Sequence, residues 1–201
     1  GIENVVASSG TSLTVEQIRL IGRYTKNVTV LYDGDAAGIK ASIRGIDLIL
    51  EEGLNVKVVL FPDGDDPDSY SRKHSHSELL DFVNGNAKDF VMFKTGLLLD
   101  EVKNDPVRKA GLVRDVVETI AKIPDPIIRS MYLKQSSAMM DIQENLLIAE
   151  LNKIRRQQLK KDLPVRDIEE LLPELLIPHK QQAEDLSTEI QEKNIIRLLF
   201  N

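Results

Sequence analysis

Cysteine is absent from the sequence, and with it a disulfide scaffold, a thiolate zinc site and a cysteine nucleophile within this chain. No apolar run approaches the ~18 to 20 residues of a membrane span, and 29% of the residues are charged, so a transmembrane protein is excluded. A basic n-region, an apolar signal core and an initiator Met are also missing. The cytosol is the expected compartment, and the chain reads as a cut piece of something longer. Nor is there an excess of positive charge. Lys and Arg number 26 against 32 Asp and Glu, a net charge of -6, so the chain as a whole does not attract a polyanion. Any nucleotide or nucleic-acid chemistry has to run through metal ions or a neighbouring basic surface. What the composition does provide, 201 residues with 42% hydrophobic content, suffices for one medium domain or two small ones.

The first third alternates short β-branched runs with helical patterns, the signature of a parallel α/β layer. Strands are expected at Asn4–Ala7, Val28–Tyr32 and Val56–Phe61. Between the first two, Thr14 and Gln17 form a capping box ahead of the stripe Val15, Ile18, Ile21. Between the second and third, Ile39, Ile43, Ile46 and Leu50 share one helical face, and Gly53 suits the positive φ that ends such a helix. After about residue 85 the pattern is helical. Asn86 is expected to cap a helix to Val102; Asp105-Pro106 and Asp125-Pro126 each pair a cap with proline at the first helical position. Leu112, Val113, Val116, Val117 and Ile120 form a buried stripe. Asp141 to Glu144 fits a further capping box opening a helix to about Lys161, ending in the basic cluster Arg155, Arg156, Lys160 and Lys161. Prolines 164, 173 and 178 mark a linker, and a last helical stretch begins at Thr188.

Two acidic segments, Asp33-Gly34-Asp35-Ala36-Ala37-Gly38 and Asp63-Gly64-Asp65-Asp66-Pro67-Asp68, each follow an expected strand directly. In a parallel sheet the C-terminal ends of the strands lie at one edge, where such folds bind ligands. Carboxylates gathered there repel one another, and a hard divalent cation with oxygen ligands relieves the repulsion. Ser8 to Ser12 follows the first strand at the same edge, with backbone N–H groups and hydroxyls suited to phosphate. Taken singly, each Asp-Gly is an ordinary turn, and Asp66-Pro67 is an ordinary helix start; their joint placement favours the metal. An EF-hand fails, because Ala37 and Arg44 stand where ligands belong. His74 and His76 read as surface residues, and the cluster at Arg155 as a solvated helix end with few aromatics beside it.

At these loops the sequence resembles a Toprim domain, and more narrowly the bacterial replicative DNA primases of the DnaG type. The segments that carry the resemblance are Val5 to Thr14, Tyr32 to Gly38, and Phe61 to Asp68 with Arg72-Lys73 just after. The helical part is similar to the bundle that follows Toprim in primases, and Glu192 to Leu199 resembles the opening of the helicase-binding domain. The resemblance implies an α/β Toprim-like parallel sheet, truncated by loss of its first strand, followed by an all-α bundle. It divides the chain into a partial catalytic subdomain (1–85), a helical bundle (86–161), a linker (162–187) and the start of the helicase-binding domain (188–201). It further implies Asp33 and Asp35 as catalytic residues, Asp33, Asp35, Asp66 and Asp68 as Mg²⁺ ligands with Mn²⁺ as a substitute, and Gly10, Thr11, Ser12, Gly34 and Gly38 as phosphate-binding. Asp63 and Asp65 are less firmly assigned.

The partners implied are a single-stranded DNA template, ribonucleoside triphosphates, the RNA primer and, through the C-terminal region, the replicative helicase. No membrane is implied, and the location is the bacterial cytoplasm at the nucleoid-associated fork. Zinc belongs only to a domain absent from this chain. The Glu-Gly-Tyr-x-Asp segment that opens the primase Toprim motif is absent too, so the fragment alone is expected to be inactive. Two readings compete: the Toprim domain of a topoisomerase or nuclease, and a non-catalytic module that docks the helicase. A topoisomerase needs a nucleophilic Tyr in a separate gate domain, and none is identifiable.

Overall fold

A computed structural model of the chain describes residues 3–7, 13–33, 45–62, 64–102 and 105–162. The elements run α1 (Val15–Gly22), β1 (Asn27–Tyr32), α2 (helical over 45–51), β2 (Asn55–Leu60), α3 (Pro67–Lys73), α4 (His76–Asn86), β3 (Lys88–Asp89), α5 (Phe90–Val102), α6 (Pro106–Lys122), α7 (Pro126–Met140) and α8 (Glu144–Asp162). Thr14 and Gln17 make the expected reciprocal capping box on α1. Gly53, at φ 73°, ends α2 in the left-handed region that a residue with a Cβ resists.

Among the described residues the sheet has three strands in the order β1-β2-β3. β1 and β2 are parallel in the register Val28↔Val56, Val30↔Val58, Tyr32↔Leu60. Alternation sends Val28, Val30, Tyr32, Val56 and Val58 to the main core. On the opposite face Phe61 meets the rings of Tyr70 at 5.2 Å and Phe82 at 5.3 Å, so α3 and α4 cover that side. β3 pairs antiparallel with β2 through Lys57↔Asp89 and Val58↔Lys88.

Several sequence expectations are corrected. Residues 5–7 form no strand, and Val5 and Val6 are exposed, because β1 has a paired neighbour only on its β2 side among the described residues and so short a segment has no ladder to join. The two-residue β3 is an unexpected strand. Asn86 closes α4 rather than capping a long helix; the Ser75–Glu78 capping box had already started α4 at His76, and α5 begins at Phe90. Asp141 does not cap α8. It sits at φ 51° as the left-handed C-cap of α7, a conformation that Asp tolerates better than most residues with a side chain. Both Asp-Pro starts hold, with Asp105 and Asp125 each accepting two backbone N–H bonds.

The expected helical stripe is buried, with Leu112, Val116, Val117 and Ile120 at 3% exposure or less and Val113 half-buried. That stripe does not close a core of its own. Ile18, Ile46, Leu50, Val56 and Val58 of the α/β part belong to the same buried cluster as Phe90, Ile120, Leu133, Leu147 and Leu151 of the helices. Lys122 of α6 bridges to Glu51 at 2.8 Å and Asp47 at 3.6 Å on α2, and Tyr132 of α7 donates to Asp89 of β3. Among the described residues, no helix is long and apolar enough to cross a membrane. The stretches assigned to the linker (162–187) and to the start of a helicase-binding domain (188–201) lie outside the described residues apart from Asp162.

Candidate metal centre at the sheet edge

The parallel register decides where the two acidic loops begin. Tyr32 lies opposite Leu60, and the Phe61 N–H donates to the Tyr32 carbonyl at 3.0 Å, so both chains leave the sheet side by side at its C-terminal edge. Asp33 is the next residue after β1, and its side chain is exposed there. After β2 the chain turns at once: the Asp65 N–H donates to the Pro62 carbonyl at 3.0 Å, with Gly64 at φ 85°. The turn needs glycine at that position because its backbone is left-handed.

α3 then starts on Asp66. Its Oδ1 accepts the Ser69 N–H at 2.6 Å, and its own N–H donates to Ser69 Oγ at 2.9 Å, a closed capping box with Pro67 at the first helical position. The bond from the Ser69 backbone holds the Asp66 carboxyl below the usual carboxylate range. Asp68 pairs with Arg72 one turn on, at 2.7 Å, with both side chains largely in solvent. Asp65 is bound differently. Its Oδ1 takes the Lys73 ammonium and the Ser69 hydroxyl at 3.0 Å, and the bond to Lys73 holds its carboxyl low.

Of the residues assigned from the sequence, Asp33, Asp66 and Asp68 are therefore seen, on loops that begin together. Asp35, Gly10, Thr11, Ser12, Gly34 and Gly38 lie outside the described residues, as does Asp63. Among the described residues, no three His, Cys, Asp or Glu side chains gather as a metal site. The donors that are present are carboxylate oxygens, the chemistry that a hard divalent cation takes. His74 and His76 do not form a pair of ligands. The His74 ring stacks on Tyr70 at 3.9 Å with Nδ1 3.0 Å from the Tyr70 carbonyl, and His76 is exposed in the first turn of α4.

In the basic cluster on α8, Arg156 is exposed as expected and Arg155 is not. Arg155 is half-buried and donates Nη1 to the Ala121 carbonyl at 3.2 Å, and burial lowers its pKa. Fully buried Arg129, which the sequence reading passed over, donates Nη1 to the carbonyls of Ile123 and Pro124, each at 2.7 Å. Both arginines thus satisfy carbonyls at the C-terminal end of α6.

Comparison with known proteins agrees with this architecture. Residues 1–71 match the Toprim-like family, and residues 102–145 match the DnaB-helicase binding domain of primase. The chain is 31% identical over 162 residues to a DNA primase of Staphylococcus epidermidis, covering 81% of this chain and 27% of that protein. It is 35% identical over 148 residues to a DNA primase of Clostridium acetobutylicum, covering 73% and 24%. Among solved structures, the Aquifex aeolicus primase, comprising zinc-binding and RNA polymerase domains, superposes with a TM-score of 0.57 at 29% identity over 72% of this chain and 34% of that one. A Toprim-like α/β unit whose acidic loops share one sheet edge, fused to a primase-type helical region, is the class that these findings define. These matches fit a fragment of a bacterial DNA primase of the DnaG type, and the chain spans about a quarter of the length of the curated relatives it matches.

Proposed function

We propose that this chain is the metal-bearing part of a DNA primase, the DNA-dependent RNA polymerase that makes short RNA primers for replication. The observation that carries the reading is the register Tyr32↔Leu60, which starts the Asp33 loop and the Asp65–Asp68 turn at one edge. Asp33, Asp35, Asp66 and Asp68 would hold Mg²⁺, with Mn²⁺ able to take its place. When bound, Mg²⁺ supplies positive charge that acidifies the attacking 3′-hydroxyl and neutralises charge developing on the phosphoryl oxygens. Asp33 presents its carboxylate in solvent at the end of β1, and the Asp66 cap fixes where α3 begins and hence where Asp68 stands. The backbone and hydroxyls of Gly10, Thr11 and Ser12, with Gly34 and Gly38, would receive phosphate. Template DNA, ribonucleoside triphosphates and the growing primer are the partners of the whole enzyme, in the bacterial cytoplasm.

Docking of the replicative helicase is a second reading. The helicase-binding likeness over 102–145 coincides with exposed apolar side chains at Val107, Ile127 and Met131, at 81%, 71% and 62%. Primer synthesis by the intact primase, wild type against Asp33→Ala, tests the first reading: loss of synthesis with unchanged folding supports it, and retention overturns it. Helicase capture by the same two proteins tests the second, since docking does not depend on Asp33.

A further inference from the structure

The second acidic loop carries carboxylates in unequal states, and the difference follows from α3. Side chains on a helix tilt toward its N-terminus. Lys73, the last residue of α3, accordingly reaches back along the helix and binds Asp65, the residue before the N-cap. Ser69, one turn in, adds a second donor to the same oxygen at 3.0 Å while its backbone N–H takes the Asp66 cap. Asp65 is the enclosed partner, with 15% of its side chain accessible against 69% for Asp68. The Asp68–Arg72 pair is exposed at both ends, the kind of pair that exchanges readily for another cation.

Resting on the primase reading above, we propose that Lys73 is a positioning residue. By neutralising Asp65 from the far end of α3, it keeps that carboxylate out of the metal-binding set and holds the turn from which Asp66 and Asp68 project. Asp65 is then a strut and not a ligand, although its spacing in the Asp65-Asp66-Pro67-Asp68 run suits either role. The pair carries no net charge, which fixes the signs of the effects expected on a nearby divalent cation.

The test is a double-mutant cycle in the intact primase that carries this stretch: Lys73→Met, Asp65→Asn and the double variant, with Asp33→Ala as control. Mn²⁺ binding to the protein without nucleotide is read by electron paramagnetic resonance, alongside thermal unfolding and the Mg²⁺ dependence of primer synthesis. Lys73→Met leaves an unneutralised carboxylate beside the site, so Mn²⁺ binds severalfold more tightly while synthesis at saturating Mg²⁺ falls severalfold. Asp65→Asn leaves an unneutralised ammonium, so Mn²⁺ binds severalfold more weakly. In the double variant the affinity returns to near the wild-type value.

Loss of Mn²⁺ binding in both proteins that carry Asp65→Asn, with Lys73→Met unchanged, would make Asp65 a ligand and overturn the proposal. Equal Mn²⁺ affinity in all three variants, with lowered unfolding temperatures, would reduce the pair to a structural tie and overturn it as well. Failure of the primase reading shows elsewhere, in the control: Mn²⁺ binding and synthesis that survive Asp33→Ala remove the site itself and the proposal with it.

Discussion

In the helical half, Val117, Ile120, Leu133, Leu147 and Leu151 have no accessible surface, and the capping aspartates at 105 and 125 are each answered by two backbone N–H groups. At the sheet edge Asp33, Asp66 and Asp68 stand in solvent, and what order the acidic turn has comes from one glycine, one cap and two ion pairs. The first arrangement gains its free energy from burial, which is insensitive to any single charge. The second gains little, since exposed pairs contribute about 0 to 1 kcal/mol, and it leaves charged carboxylates in solvent that a buried core would not tolerate. Buried packing and exposed charge are thus spatially divided, although a single core joins the two regions.

The largest expected effect sharpens that division. Asp33→Ala in the intact primase should lower primer synthesis by several orders of magnitude with no loss in thermal unfolding temperature, because an exposed side chain at the end of β1 contributes little to the apo fold. Asp66→Asn should be nearly as inactive and equally well folded, since an Asn side chain still caps α3 through its oxygen. A matching fall in unfolding temperature for Asp33→Ala, measured by circular dichroism, would break the comparison.

Next in size is the core. Leu147→Ala on α8 should destabilise the fold by about 2 to 5 kcal/mol through the cavity it leaves. Because Val56 and Val58 belong to the same buried cluster as Leu147, slow-exchanging amides of β2 should lose protection together with those of α6. Exchange that accelerates in α6 alone would show two cores instead of one.

Arg129 comes third. Arg129→Met removes both donors from the Ile123 and Pro124 carbonyls and should cost about 1 to 3 kcal/mol. Arg129→Lys should recover little of it, because a single ammonium does not reproduce the planar fork of the guanidinium. Chemical denaturation of the three proteins provides the measurement, and full rescue by Lys would mean that only the charge matters.

Much of this was legible in advance, for reasons that vary by element. β1 and β2 follow from β-branched runs, and α1, α6 and α7 from local caps, since the signal and the structure lie within a few residues of each other. That the two acidic loops start at one sheet edge was legible because parallel topology alone implies it. Asn4–Ala7 was misread because a strand is a pairing and no local pattern specifies the partner; β3 was missed for the same reason. The Ser75-His76-Ser77-Glu78 box was a local signal that went unread, and it starts the helix that packs with α3 against the sheet. The roles of Lys73, Arg129 and Tyr132 depend on contacts across a helix or between elements, and composition gives no hint of them.

Tyr132 provides the smallest effect, and it tests the seam between the two regions. Its hydroxyl donates to Asp89 Oδ2, while Asp89 Oδ1 accepts the Met92 N–H at 3.1 Å at the start of α5, so one carboxylate ties α7 to β3 and α5. Burial first, and then the bond to Asp89, push the Tyr132 pKa up from its ordinary value. A tyrosine raised in this way binds its proton more tightly folded than unfolded. Its contribution is complete below the ordinary tyrosine value of about 10 and declines as pH rises beyond it. Arg129 works in the opposite sense: burial and then neighbouring Arg155 lower it to about 10, so the unfolded chain holds that proton more tightly and stability gains with pH above this value. Subtracting the unfolding free energies of Tyr132→Phe from those of the wild type cancels the Arg129 contribution, which both proteins share. The difference should be about 1 kcal/mol at neutral pH and shrink steadily above pH ~10. A difference that stays constant through the alkaline range would mean that the phenol is not held neutral by Asp89, and that packing alone joins the helical half to the sheet.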